Sequence, residues 1–136
     1  MSTKIFVNLP VKDLDGAIAF YSALGFVNNK QFTDETAACM VISEDIYVML
    51  LTHPKFKQFT PKDISDATKT SEVLNCLSRD SRADVDAMIR SAVAAGGSTF
   101  SDPQDLGFMY HHSFQDLDGH IWEVMWMDPA AVQQQG

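Results

Sequence analysis

The sequence predicts an α+β fold made of two βαβββ modules, and three observations lead to this prediction. The chain has 136 residues, which suits a single domain, 1–136, with a sizeable buried core. The order strand, helix and three strands occurs twice, over about 4–53 and about 71–127. A polar segment with two prolines, 54–70, separates the two copies and is interpreted as a linker. A repeat of this length predicts two modules of equal topology.

The first module begins with a strand over Lys4–Val11, where apolar residues occupy alternate positions. Asp13 is a suitable N-cap for a helix over 13–24, and Gly25 is a suitable end for it. Short polar turns separate three apolar segments that follow. These predicted strands are Phe26–Phe32, Thr36–Ile42 and Ile46–Leu51.

The second module repeats this order. It predicts a strand over Val73–Ser78 and a helix over 81–95, capped by Ser81 and ended by Gly96. The remaining predicted strands are Ser98–Ser101, Phe108–Phe114 and His120–Met127.

Composition narrows the classes of partner. Ten Lys and Arg against eighteen Asp and Glu give a formal charge of −8, which disfavours nucleic acid and anionic membrane surfaces as partners. The longest apolar runs have six residues, far below the roughly 20 of a membrane helix. The N-terminus lacks the pattern of a secretory signal. Two isolated cysteines, Cys39 and Cys76, predict buried thiols and a cytoplasmic location.

One hairpin predicts which residues face inward. Asp116 to Gly119 is typical of a type I turn with glycine in the left-handed position. Counting outward from this turn pairs Phe114 with Trp122 and Ser113 with Glu123. Glu123 is then expected on an enclosed face of a largely apolar strand, where a carboxylate costs free energy unless it is paired or protonated.

Segments at both ends of the chain resemble one known family. The segments are Val-Asn-Leu-Pro-Val-Lys-Asp-Leu and Ala-Phe-Tyr-Ser-Ala-Leu-Gly-Phe near the start, and Asp-Leu-Asp-Gly-His-Ile-Trp-Glu near the end. They are similar to the vicinal oxygen chelate superfamily. Its members include glyoxalase I, extradiol dioxygenases and the bleomycin and fosfomycin resistance proteins. The resemblance spans residues 4 to 127. It implies curved, mostly antiparallel sheets around a cleft, and a homodimer.

The resemblance also implies a test for a metal. Metal-dependent members take one ligand from the first and one from the last strand of each module, and these positions fall at Phe6, Met49, Leu74 and Glu123. Only Glu123 among them is a good ligand for the divalent ions of this family, so no metal is favoured. Were a metal present, Glu123 and His111 would be its expected ligands, with Asn8 or Cys76 completing the site.

The sequence therefore predicts a glyoxalase- or bleomycin-resistance-like protein that binds a mainly apolar small molecule. It would sequester this ligand, or act on it with Glu123 as the catalytic acid or base. Tyr47 and Tyr110 are expected near the cleft, each with a hydroxyl to donate to a ligand. Two alternatives stay open: a metal-dependent lyase or dioxygenase of the same superfamily, and a non-enzymatic interaction module. The expected ligand-binding residues are Phe6, Asn8, Tyr47, Met49, Leu74, Cys76, His111, Ser113 and Met125.

Overall fold

The computed structural model describes residues 2–133, so Met1 and residues 134–136 of the predicted 1–136 domain lie outside the described residues. Contacts within the chain divide it into two compact units, one ending at Thr70 and the other beginning at Ser71. Each unit contains one four-stranded sheet.

The first unit has its strands in the order β1-β4-β3-β2. Its first strand is parallel to its last, and the other pairs are antiparallel. The elements are β1 (Ile5–Val11), α1 (Leu14–Ala23), β2 (Val27–Asn29), β3 (Ala37–Val41), β4 (Ile46–Thr52) and the short helix α2 (His53–Lys57).

The second unit repeats this topology in the order β5-β8-β7-β6, again with its first and last strands parallel. Its elements are β5 (Asn75–Ser78), α3 (Arg82–Ala94), β6 (Gln104–Asp105), β7 (Met109–Gln115), β8 (Ile121–Met127) and the short helix α4 (Pro129–Gln133). The predicted α+β class with two βαβββ modules is confirmed.

The helix boundaries follow from the predicted caps. The side chain of Asp13 accepts a hydrogen bond from the Gly16 amide, and that of Ser81 accepts one from the Asp84 amide. Gly25 and Gly96 then take positive φ angles of 98° and 105°, which end α1 and α3. These caps fix where each helix begins and ends above its sheet.

Each long helix covers one face of its own sheet. From α1, the buried side chains include Phe20 and Tyr21, and from α3 they include Val85 and Ile89. The facing sheet residues have less than one-tenth of their surface exposed; they are Leu9, Val11, Ala38, Met40, Val48 and Leu50 in the first unit, and Phe114, Trp122 and Val124 in the second. This packing leaves the opposite face of each sheet for other contacts.

Two predicted strands differ from the structure. The strand expected over Phe26–Phe32 is shorter, because Lys30–Phe32 forms a turn of 3₁₀ helix that the Asn29 side chain caps. The strand expected over Ser98–Ser101 is wrong: Ser98 forms a single bridge to Gln115, and the paired strand is Gln104–Asp105. Pro103 lies between these two points and supplies no amide hydrogen to a continuous ladder. Among the described residues, no helix is long and apolar enough to cross a membrane.

Candidate functional site

The hairpin that positions Glu123 forms as predicted. Gly119 has a φ of 90°, and its amide donates to the Asp116 carbonyl. One carboxylate oxygen of Asp116, Oδ1, accepts hydrogen bonds from the amides of Asp118 at 3.0 Å and His120 at 2.8 Å. Asp116 is only 6% exposed, so this buried carboxylate fixes the turn. An Asp at the first position of a turn is the usual sequence signal of this role, which was not among the expectations for Asp116.

Glu123 lies at the centre of a row of three polar side chains across the second sheet. In the strand pairing, Cys76 of β5 is the partner of Glu123, and Ser113 of β7 is its partner on the other side. Side chains that are directly paired across strands point to the same face of a sheet. The structure thus brings together three of the predicted site residues, and we call Cys76, Glu123 and Ser113 the polar row.

The polar row lies on the face turned away from α3, which we call the far face of the second sheet. Two contacts to α3 identify the other face: Tyr110 donates a hydrogen bond to Asp86 at 2.6 Å, and the Arg82 guanidinium lies 4.5 Å from the centre of the Trp126 ring. Since neighbouring residues of a strand point to opposite faces, Ser113 and Glu123 are on the far face. The expectation that Tyr110 lies near the ligand is wrong, because its hydroxyl is bonded to the helix.

Ser113 is almost fully buried, at 8% exposure, whereas Glu123 is half-buried. Within residues 2–133, neither side chain has a hydrogen-bond partner, and Glu123 has no ion pair. No fully buried side-chain oxygen of the described residues lacks a hydrogen-bond partner, so these two unpartnered groups are accessible from the far face and can bond to a bound molecule.

Cys76 does not occupy the buried position that the sequence predicted, since its side chain is exposed at the edge strand β5. Loss of hydration and then the negative charge of Glu123 raise the pKa of the Cys76 thiol. Cys39 is buried as predicted, and burial raises the pKa of its thiol as well. Both thiols are therefore poor nucleophiles at neutral pH.

The next row of the far face contains Met125 of β8, with His111 of β7 as its paired residue. Both are half-buried. His111 and Glu123 are therefore diagonal neighbours on one face, at a Cα separation of roughly 7–8 Å. Leu74 comes just before β5 and is 52% exposed.

The first sheet places the remaining predicted residues on its own far face, turned away from α1. Asn8, Met49 and Cys39 form its central row, which is equivalent in topology to the polar row. Phe6 and Tyr47 pair in the next row and stack with ring centres 4.6 Å apart. The Tyr47 hydroxyl donates to the Glu44 carbonyl at 2.8 Å, so this donor is already used.

The residues present do not fit a tightly held metal ion. No group of three His, Cys, Asp or Glu side chains with the geometry for a metal occurs in the described part of the chain. In the polar row, the thiol is held in its neutral form beside the carboxylate, and the first-sheet row offers an amide, a thioether and a buried thiol. A divalent ion needs three or four good donors for stable binding, and His111 would add only a second to Glu123.

Comparisons with known proteins agree with this fold. Residues 3–43 match the family model for the N-terminal part of bleomycin resistance protein-like proteins. A hypothetical protein of S. aureus is 27% identical, with a TM-score of 0.78 over 93% of this chain and 94% of that one. No curated protein matches the sequence significantly.

More distant solved structures share the fold alone. An enzyme of the glyoxalase/bleomycin resistance protein/dioxygenase family from Burkholderia phytofirmans is 16% identical, with a TM-score of 0.76 over 93% of this chain and 99% of that one. A fosfomycin resistance protein from Mesorhizobium loti is 14% identical, with a TM-score of 0.70 over 98% of each chain.

Proposed function

We propose that the chain is a member of the vicinal oxygen chelate superfamily that binds a mainly apolar small molecule on the far face of its second sheet. The match of residues 3–43 to the bleomycin resistance protein-like model and the shared fold support this proposal. The protein would sequester this molecule, or act on it with Glu123 as a general acid or base. The main support for this proposal is the position of Glu123 between Cys76 and Ser113. Its side chain is half-buried and has no hydrogen-bond or ion-pair partner among residues 2–133. A carboxylate that no group of the described chain uses, on a face otherwise rich in apolar side chains, is available to orient a ligand, which supports a binding role.

The neighbours of Glu123 support a ligand with an apolar body. Ile121 and Met125 precede and follow it on the same face of β8, and Met109 and Met127 extend that face. Methionine side chains are flexible and adapt to apolar ligands of different shape. No lysine or arginine occurs on the far-face positions of β5 to β8, which disfavours glutathione, with its two carboxylates.

The chemistry open to Glu123 is proton transfer. A carboxylate accepts a proton from an acidic carbon or heteroatom of a ligand and returns it after rearrangement. Ser113 can donate a hydrogen bond to a ligand oxygen from the adjacent strand, which orients that ligand toward Glu123. The metal-dependent lyase or dioxygenase hypothesis has less support, since its donor set is limited to Glu123 and His111.

A thermal-shift screen of metabolites and metal ions tests this proposal. A ligand that binds only the folded state raises the melting temperature by mass action, so a hit is expected among molecules with an apolar body. The same hit should be lost or weakened in Glu123→Gln and unchanged in Glu72→Gln, which removes a charge from an exposed position of the same unit. Hits that depend equally on both residues, or on neither, would argue against the far face.

We also propose that the protein is a homodimer. Large apolar side chains remain about half exposed in each unit, Phe6 at 51% in the first and Leu74 at 52% in the second. Burying such side chains against a second copy would remove apolar surface from water, which supports association. Light scattering during gel filtration should give about twice the 15.1 kDa chain mass, and a mass of one chain at high protein concentration would refute the dimer.

A further inference from the structure

The far face of the second sheet combines the Glu123 carboxylate with the Ser113 hydroxyl, and its strands carry no lysine or arginine. Glu123 has no ion pair within residues 2–133. The Arg82 side chain is held on the opposite side of the sheet by Trp126. The strands of this sheet therefore offer no lysine or arginine to Glu123, and its carboxylate is available to a cationic group of a bound molecule.

Ser113 provides a second polar group in the same row as Glu123. The residue is 8% exposed and its side chain has no hydrogen-bond partner among residues 2–133. Because no fully buried side-chain oxygen of these residues lacks a partner, the Ser113 hydroxyl is accessible from the far face. The Ser113 hydroxyl can accept or donate, so an ammonium group or an alcohol can bond to both side chains. Only the ammonium group also supplies the positive charge that the Glu123 carboxylate lacks, and a hydrogen bond between charged groups is stronger than a neutral one.

We propose that the far face of the second sheet binds a ligand with a primary or secondary ammonium group on an apolar body. Glu123 is the counter-charge, Ser113 accepts the second hydrogen bond, and Met125 contacts the apolar part. This inference rests on the proposed function, because it names the class of ligand for the same site. The net charge of −8 on the whole chain also attracts a cationic ligand.

Three probes of equal shape separate charge from apolar contact: benzylammonium, benzyl alcohol and benzoate. Binding is followed by NMR on chains labelled in the methionine methyl groups, of which the Met125 methyl reports on the far face. Titration with each unlabelled probe gives its dissociation constant. Because a charge-assisted hydrogen bond is stronger than a neutral one, benzylammonium should bind about tenfold more tightly than benzyl alcohol, and benzoate most weakly.

Variants then assign the preference to its residue. In Glu123→Gln, benzylammonium should bind no more tightly than benzyl alcohol, while Glu72→Gln should keep the preference. Ser113→Ala should weaken benzylammonium by a smaller factor, about threefold. Circular dichroism confirms that each variant is folded, and the comparison of the three probes on the unmodified chain does not depend on any variant.

Equal affinities for benzylammonium and benzyl alcohol in the unmodified chain would overturn the inference and leave the proposed function standing, since the apolar body would still bind at Met125. A preference that persists in Glu123→Gln would overturn it too. If no probe shifts the Met125 methyl, the inference is overturned, and the wider thermal-shift screen decides the proposed function separately.

Discussion

Removing the Asp116 carboxylate should destabilise the second unit and disturb the register that places Glu123 beside Ser113. In Asp116→Ala the amides of Asp118 and His120 lose the acceptor Oδ1 inside a turn where Asp116 is 6% exposed. Each hydrogen bond to a charged group contributes about 1.5–3 kcal/mol, so the two together correspond to a loss of about 3–6 kcal/mol in the free energy of unfolding. This is a large share of the stability of a domain of this size.

The matched variant Asp116→Asn removes the charge but keeps an oxygen in the place of Oδ1. Both amides can still donate to this oxygen, and each bond contributes about 1 kcal/mol. Asp116→Asn should therefore lose only about half as much free energy of unfolding as Asp116→Ala. Urea unfolding followed by tryptophan fluorescence measures the loss, because both tryptophans of the chain, Trp122 and Trp126, lie in β8 of the second unit. A free energy of unfolding within about 0.5 kcal/mol of the original in Asp116→Ala would refute the role of this carboxylate.

Three further predictions test other parts of the molecule. Tyr110→Phe removes the hydrogen bond to Asp86 and should lower the free energy of unfolding by about 1 kcal/mol. The same bond raises the pKa of Tyr110, so its stabilising effect is complete below pH 10.0 and is lost as the pH rises through the higher folded-state pKa. This loss of stability at high pH should be absent in the variant. Elemental analysis of washed protein should find less than one equivalent of Fe, Ni, Zn or Mn per chain, since Phe6, Met49 and Leu74 are poor or impossible ligands, and a full equivalent lost in Glu123→Ala would contradict this. Iodoacetamide should modify the exposed Cys76 before the buried Cys39, but more slowly than it modifies a small-molecule thiol. Cys76 should react faster in Glu123→Gln, because the negative charge beside the thiol is removed. An unchanged rate in that variant would contradict the closeness of Cys76 and Glu123.

The sequence predicted the register of the β7–β8 hairpin because local chemistry determines it. A turn with glycine in the left-handed position permits few loop lengths, and each loop length fixes the pairing of both strands. The pairing of Ser113 with Glu123 and of Phe114 with Trp122 followed from counting. Helix ends were predictable for the same reason, because the caps Asp13 and Ser81 act within one turn of the helix.

Features that depend on distant contacts were not predictable in this way. The residues Ser98–Ser101 suit a strand, but a strand also needs a partner. The segment that pairs with His111 and Tyr110 of β7 is Gln104–Asp105, and Ser98 forms only a single bridge. Cys76 was expected to be buried because its type commonly is, whereas its exposure follows from β5 being an edge strand. Tyr110 was expected beside the ligand, and its bond to Asp86 depends on where α3 crosses the sheet.

The two units share one topology but differ in what their central rows offer a ligand. The row Asn8, Met49 and Cys39 of the first sheet carries no ionisable group that is charged at neutral pH, and burial raises the pKa of its thiol. The polar row of the second sheet carries a carboxylate at the position equivalent to Met49. A repeated fold needs the same apolar pattern on the helix-facing side of both sheets, since each must bury its own helix. It imposes no such requirement on the far faces, so a carboxylate can occur in one unit alone, and here only the central row of the second unit holds one, Glu123, on which the proposed ligand binding depends.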